Sequence, residues 1–344
     1  MFGEVVLMGW DYVKAGVDLS KHGEMHEYAV KLMNQLAEEL AVEVRNLGSY
    51  ASFIDVGGTS ITLHVDGVGT KALVLERLGK YEVIGWDCVA MNVNDVVCEG
   101  AKPLALVDYI SMPKPDVGVF TEVFNGVFKA AKRSGVVVIG GETAILPNLV
   151  NGVDAACAVL AVKKVGFSNK AREGDVIVGL ESWGLHANGY SLVRKVLESR
   201  LGSYDAVVDE VDFKEELTKP TAIYSNVVLE AIENGYVNSV VHITGGAFKK
   251  VKRVLSSSLE ARIEAPEPPK IFKAIMELGG VSVSEMYRVF NMGVGLLMTA
   301  GRDHVSAVSD LVGRYGFKAY ILGEVVKGEG KVVIDTPFGE RVEF

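Results

Sequence analysis

Three carboxylates stand where the chain is expected to turn. Asp66 ends the alternating run Ile61–Val65, Asp95 lies on the polar side of a helical stretch, and Glu142 follows the pair Gly140-Gly141. Hard oxygen donors beside turns rich in backbone N–H suit a divalent cation that bridges phosphate oxygens. Gly67, Gly69 and Thr70 lead from Asp66 into Lys71, whose ammonium at a helix start can meet a phosphate as a point charge. On an ideal helix Asp87 and Asn94 project about 20° apart, and Asp95 about 80° from Asp87, so the three can face one cleft. His186, in Gly184-Leu185-His186-Ala187-Asn188-Gly189, and His242, in His242-Ile243-Thr244-Gly245-Gly246, share glycine-containing polar surroundings. Each can orient or deprotonate a ligand near neutral pH. The chain has neither the GxxxxGK[ST] nor the GxGxxG spacing, so phosphate would be held on another scaffold.

Helices and strands must alternate to position these residues. Ala29, Leu32, Leu36, Leu40, Val44 and Leu47 recur every three or four positions and predict a helix over Met25–Leu47 with one buried face. Strands are expected at Ile61–Val65, Leu104–Ile110, Val136–Ile139 and Asp154–Val162, with helices over Gly85–Gly100 and through Phe120, Val123, Phe124, Val127 and Ala131. The polar stretch Gly166–Gly174 suggests a boundary between domains 1–167 and 168–344. Beyond it come strands at Asp175–Leu180, Ser239–Ile243, Gly293–Thr299 and Tyr320–Glu324. They alternate with helices at Tyr190–Leu201, Leu217–Asn234, Ile271–Leu278 and His304–Tyr315.

Composition narrows the function. With 344 residues, 49% of them hydrophobic, the chain can bury two cores, and its net charge of −9 makes nucleic acid a poor partner. Cys88, Cys98 and Cys157 lack CxxC spacing and sit in apolar segments, which predicts reduced core thiols and a cytoplasmic protein. Met1–Lys14 carries Glu4 and Asp11 and lacks the basic start of a signal peptide; no apolar run approaches the roughly 20 residues of a membrane helix.

Eight motifs occur in a telling order: Lys14–Asp18, Asp66–Lys71, Gly85–Asp95, Gly100–Leu104, Gly140–Ala144, Gly184–Arg194, His242–Gly246 and Glu285–Gly293. From Tyr12 to about Glu324 the chain resembles the aminoimidazole ribonucleotide synthetases, or phosphoribosylformylglycinamidine cyclo-ligases. That resemblance implies conversion of formylglycinamidine ribonucleotide and ATP to aminoimidazole ribonucleotide, ADP and phosphate, through phosphorylation of the formyl oxygen. It implies Mg²⁺ on Asp66, Asp95 and Glu142, and ATP contacts from Asp66, Gly67, Gly69, Thr70, Lys71, Asp87, Asn94, Gly140 and Gly141. Substrate contacts would come from His186, Asn188, His242, Thr244, Gly245 and Gly246, with His186, Lys71 and Asp95 in catalytic roles. An α+β fold is implied, of two mixed α/β-layer domains, the first lending strands to a β-barrel at a homodimer interface. Ile145–Asn148 departs from the family's usual Glu-Met-Pro-Gly, and Gly48–Thr59 is less glycine-dense than usual.

Selenophosphate synthetases, thiamine-monophosphate kinases and hydrogenase maturation factors share such a scaffold. No cysteine precedes Cys88 and none ends the chain at Phe344, against the first and third; the His-Ala-Asn-Gly-Tyr-Ser and Glu-Met-Tyr-Arg signatures argue against the second. A nucleotide-binding dimer without turnover is the reading from another class.

Overall fold

The computed structural model describes residues 9–163 and 166–344. Met1–Met8, part of the segment read for a leader, therefore lies outside the described residues. The first half runs α1 (Leu19–Glu39), β1 (Ile54–Val56), β2 (Thr59–Gly67), α2 (Lys71–Arg77), α3 (Tyr81–Cys98), β3 (Ala101–Met112), α4 (Val117–Ser134), β4 (Val137–Ile145) and β5 (Asp154–Lys163). Its strands form one sheet in the order β1-β2-β5-β3-β4, antiparallel except for β3 and β4, which α4 connects.

Helix α3 lies on this sheet, and α4 packs against α3 at unusually close range. A Cβ at Gly85 would come within 1.9 Å of the Val123 carbonyl oxygen, and one at Gly126 within 1.9 Å of that of Glu82. Glycine at both positions lets the two backbones touch. The other sheet face is open and apolar, with Leu63 at 77% and Val65 at 67% exposure, joined by Val107, Tyr109, Val137 and Ile139. On β2 the usual alternation is thus reversed, since Thr62, His64 and Asp66 turn to the covered side.

Two expectations need correction here. The predicted N-terminal helix exists as α1, but it ends at Glu39 and none of its residues is buried; among the described residues, Leu32, Leu36 and Leu40 stay exposed. Cys88 and Cys157 are not free thiols but a disulfide across 69 positions, with Cα atoms 5.6 Å apart. Lack of a CxxC spacing did not preclude it, because packing of α3 on β5 brings the two together; only Cys98 is free and buried. Cysteine usage consequently says nothing of the compartment. Among the described residues no helix is long and apolar enough to cross a membrane.

The second half runs β6 (Val176–Glu181), α5 (Tyr190–Arg200), β7 (Val207–Val208), β8 (Val211–Asp212), α6 (Phe213–Leu217), α7 (Ser225–Glu233), β9 (Ser239–His242), β10 (Leu259–Glu264), α8 (Lys270–Gly279), α9 (Val283–Val289), β11 (Val294–Ala300), α10 (Val305–Arg314), β12 (Ala319–Lys327), β13 (Val332–Asp335) and β14 (Arg341–Glu343), with a 3₁₀ helix at Ala247–Val254. Seven strands form a mixed sheet in the order β14-β13-β10-β12-β6-β11-β9. Every residue of β11 is buried, as its apolar run Val294–Met298 requires.

The helix predicted over Leu217–Asn234 is really α6 and α7, separated by irregular chain at 218–224. Pro220 cannot donate to a helix, and α3 supplies the missing partners. Asp87 Oδ1 accepts from Thr221 N at 2.7 Å, and Trp86 Nε1 donates to the Thr221 carbonyl at 2.8 Å. Asn94 accepts from Tyr224 N and donates to the Ala222 carbonyl, each at 2.8 Å. These bonds clasp the second half to the first.

Candidate active site

Strand β2 places His64 and Asp66 two residues apart on one face, opposite Asp95 of α3. One ligand atom from each of the three lies within 4.8 Å of the other two. Asp95 Oδ1 meets His242 Nδ1 at 2.6 Å, and its Oδ2 lies 3.7 Å from His64 Nε2, an atom that is buried without a hydrogen-bond partner. Burial opposes ionisation of Asp95, but the His242 hydrogen bond, with the ammonium of Lys250 and the nearby rings of His242 and His64, overrides it and holds the carboxyl far below the ordinary range. Asp66 moves the other way: burial and then the Asp95 charge raise it, against the Gly67 N–H that its Oδ1 accepts at 2.8 Å. A cation between the two would relieve that repulsion. The donor set therefore fits a divalent metal.

His242 ends β9, so the second half supplies the support for Asp95. Tyr50 fixes the same corner by donating to the His242 carbonyl at 3.1 Å. From the 3₁₀ helix, Lys250 donates to the Thr244 hydroxyl, lies 5.2 Å from the Tyr50 ring centroid, and forms no ion pair within 4 Å among the described residues. Its charge favours both Asp66 and Asp95 as carboxylates.

Other expected site residues lie deeper. Lys71 and Asp87 are both fully buried and pair at 2.6 Å, with Lys71 Nζ also donating to the Lys219 carbonyl at 2.7 Å. Lys71 thus has its acceptors inside the fold, and Asp87 and Asn94 hydrogen-bond the 218–224 segment. Thr70 reaches Ser191 at 3.0 Å and ties the Gly67–Thr70 turn to the start of α5.

His186 is fully buried, with φ +59°, and its Nε2 accepts from Trp183 N at 3.1 Å while Nδ1 has no partner. The ring is consequently neutral with its proton on Nδ1. Burial, then the neighbouring His242 and Lys71, keep its pKa well below the usual histidine value. A base open to solvent is not what this geometry provides. Asn188 Nδ2 is buried and unpartnered, and a Cβ on Gly245 would stand 3.7 Å from Asn188 Oδ1, so these two expected substrate contacts are neighbours. The Glu285–Gly293 motif is the support beneath them. Asn291 donates to the Gly184 carbonyl at 2.9 Å, and Phe290 packs so closely that any side chain at Gly189 would collide with its ring.

Glu142 does not join the cluster. It lies on β4, three strands from β2, a separation of roughly 14 Å. Gly140 and Gly141 sit beside it and line a groove of about 600 Å³ with Asp108, Phe120, Phe124 and Phe128. Within one chain, then, Asp66 and Asp95 come together without Glu142. His64 and Lys250 were not anticipated. A signal existed for His64, which the strand period places on the same face as Asp66; Lys250 lies in the basic run Lys249–Arg253, which reads as a solvated surface.

The family described as AIR synthase related protein, N-terminal domain, matches residues 48–166, and its C-terminal counterpart matches residues 172–336. A phosphoribosylformylglycinamidine cyclo-ligase of Saccharolobus solfataricus is 41% identical over 321 residues, spanning 93% of this chain and 95% of the relative. One from Thermococcus kodakarensis is 40% identical over 326 residues, spanning 93% and 96%. Among solved structures, a HypE–HypF complex aligns with a TM-score of 0.64 at 20% identity, over 90% of this chain and 97% of the other. AaThiL complexed with AMPPCP and TMP aligns with a TM-score of 0.62 at 18% identity, over 91% and 94%. At those identities the likeness is one of fold. Identity to the curated relatives, sustained over nearly the full length of both chains, shows that this chain belongs to the phosphoribosylformylglycinamidine cyclo-ligase family.

Proposed function

We propose that the chain closes the imidazole ring of aminoimidazole ribonucleotide, using ATP to activate formylglycinamidine ribonucleotide in purine biosynthesis. The observation that carries the reading is the Asp66–Asp95–His242 cluster, assembled from both halves of a chain in this family. A formamide oxygen is a poor leaving group. Transfer of the γ-phosphoryl group to it turns the carbon into an electrophile, the amidine nitrogen attacks, and phosphate departs with the oxygen, leaving ADP.

For that sequence the protein must align two anionic reactants and neutralise charge as it moves. Asp66 and Asp95, with His64 beside them, would hold Mg²⁺, and the ion would supply charge neutralisation for the phosphates. His242 keeps Asp95 ionised and aimed. Lys250 offers an ammonium to an anionic group in the same cleft, and Asn188 Nδ2 an unused hydrogen-bond donor beside Gly245. Buried, neutral His186 supports the wall of the cleft from behind.

The same proposal includes a homodimer closed over the open face of the first sheet, supported by the contiguous exposure of Leu63, Val65, Val107, Tyr109, Val137 and Ile139. Such pairing would bring a partner's β4, with its glycine pair and glutamate, toward the cleft. It further places the domain boundary at 167/168, between the two sheets, and the protein in the cytoplasm, where a pathway fed by ATP operates. The test is one reaction mixture, with Mg²⁺-ATP and formylglycinamidine ribonucleotide, in which ADP, phosphate and aminoimidazole are followed together. Equal release of all three, dependent on the ribonucleotide, is the expected result; ATP binding without aminoimidazole would overturn the assignment.

A further inference from the structure

A metal site built for Mg²⁺ alone has no use for an imidazole, because Mg²⁺ prefers oxygen ligands and keeps several waters. Here Nε2 of His64 is buried with no hydrogen-bond partner and lies 3.7 Å from Asp95 Oδ2. The strand period directs it to the same side as Asp66. Among the described residues no protein group hydrogen-bonds to it. Asp95, for its part, is held by His242 through the other carboxylate oxygen, so Oδ2 stays available. One nitrogen and two carboxylate oxygens are a mixed donor set, and mixed sets favour borderline first-row cations over Mg²⁺.

We infer that His64 biases this site away from Mg²⁺ toward first-row divalent cations that accept a nitrogen ligand, for which Mn²⁺ serves as the probe. The inference rests on the reading that this cluster holds the metal that accompanies ATP. Its content is a choice among metals set by one side chain of β2.

The test uses the full chain without nucleotide. Mn²⁺ is titrated and followed by its electron paramagnetic resonance signal, with Mg²⁺ as competitor, in the unaltered protein and in His64→Gln, His64→Asn and Asp66→Asn. Glutamine keeps reach but exchanges nitrogen for oxygen, and asparagine serves as the second variant if the longer side chain disturbs β2. Both His64 variants should lower Mn²⁺ affinity by about tenfold or more while leaving Mg²⁺ affinity nearly unchanged. A Mn²⁺-to-Mg²⁺ ratio unchanged by either substitution would overturn the inference, even with cyclo-ligase turnover intact. Mn²⁺ binding unaffected by Asp66→Asn would remove the metal from this cluster altogether, and the inference with it.

Discussion

His186 shows what burial does to a group that reads as catalytic. Its Nε2 is committed to Trp183 N and the ring is sealed from solvent, so protonation would place an unpaired charge in the core. In the unfolded chain the same ring protonates near its ordinary pKa of 6.5. Below that pH the unfolded state binds a proton that the native state does not, so stability present at neutral pH is lost as the pH falls. Melting temperature should therefore decline from pH 7 to pH 5, and His186→Gln should flatten the slope; an identical slope in the variant would assign the sensitivity elsewhere. At this scale the sequence was a good guide to residue type and a poor guide to surroundings. The closeness of Asp66, Asp95 and His242 was hinted at by glycines, a strand end and a polar helix face, whereas the burial of Lys71 was not, because its partner Asp87 is sixteen positions on and its other acceptor, Lys219, lies in the second half.

Helix α3 is the element on which the molecule turns. Asp87, Asn94 and Asp95 share α3 but make different contacts: the first two hold the 218–224 segment, and Asp95 joins His64 and Asp66. The buried Lys71–Asp87 pair extends that clasp to α2. Lys71→Met should strand the Asp87 charge and destabilise the fold by about 3 kcal/mol or more in urea unfolding. Adding Asp87→Leu should restore only part of that, since Thr221 N then loses its acceptor. A stable Lys71→Met protein with weakened ATP binding would instead return Lys71 to the phosphates. Most helices and strands were visible in the hydrophobic periodicity. The break at Pro220 was passed over because Leu217, Val227, Val228 and Ala231 continue a helical rhythm across it.

On the scale of the whole molecule, what the sequence could not reveal is where the chain expects company. The apolar stripe of α1 and the open face of the first sheet both follow the usual pattern of buried residues, and both remain exposed in a single chain. The disulfide, made by packing of α3 on β5, and the distance of Glu142 from Asp66, set by strand order, likewise depend on residues far apart in sequence. If the open face is an interface, Val65→Lys should yield a monomer by light scattering, because a charge would be buried on every closure. A variant that keeps the oligomeric state of the parent would place the contact elsewhere.

Strand β2 has apolar Leu63 and Val65 on one side and His64 and Asp66 on the other, and each side answers to a different requirement. Because the pleat repeats every two residues, gain or loss of a single residue anywhere along this strand exchanges the two sets at once. Such an event would turn hydrocarbon toward the reacting groups and charge toward the bare sheet, so assembly and chemistry would fail together. Evolution can then alter β2 by substitution but hardly by insertion, and the segment acts as a fixed reading frame shared by the active site and the outer surface.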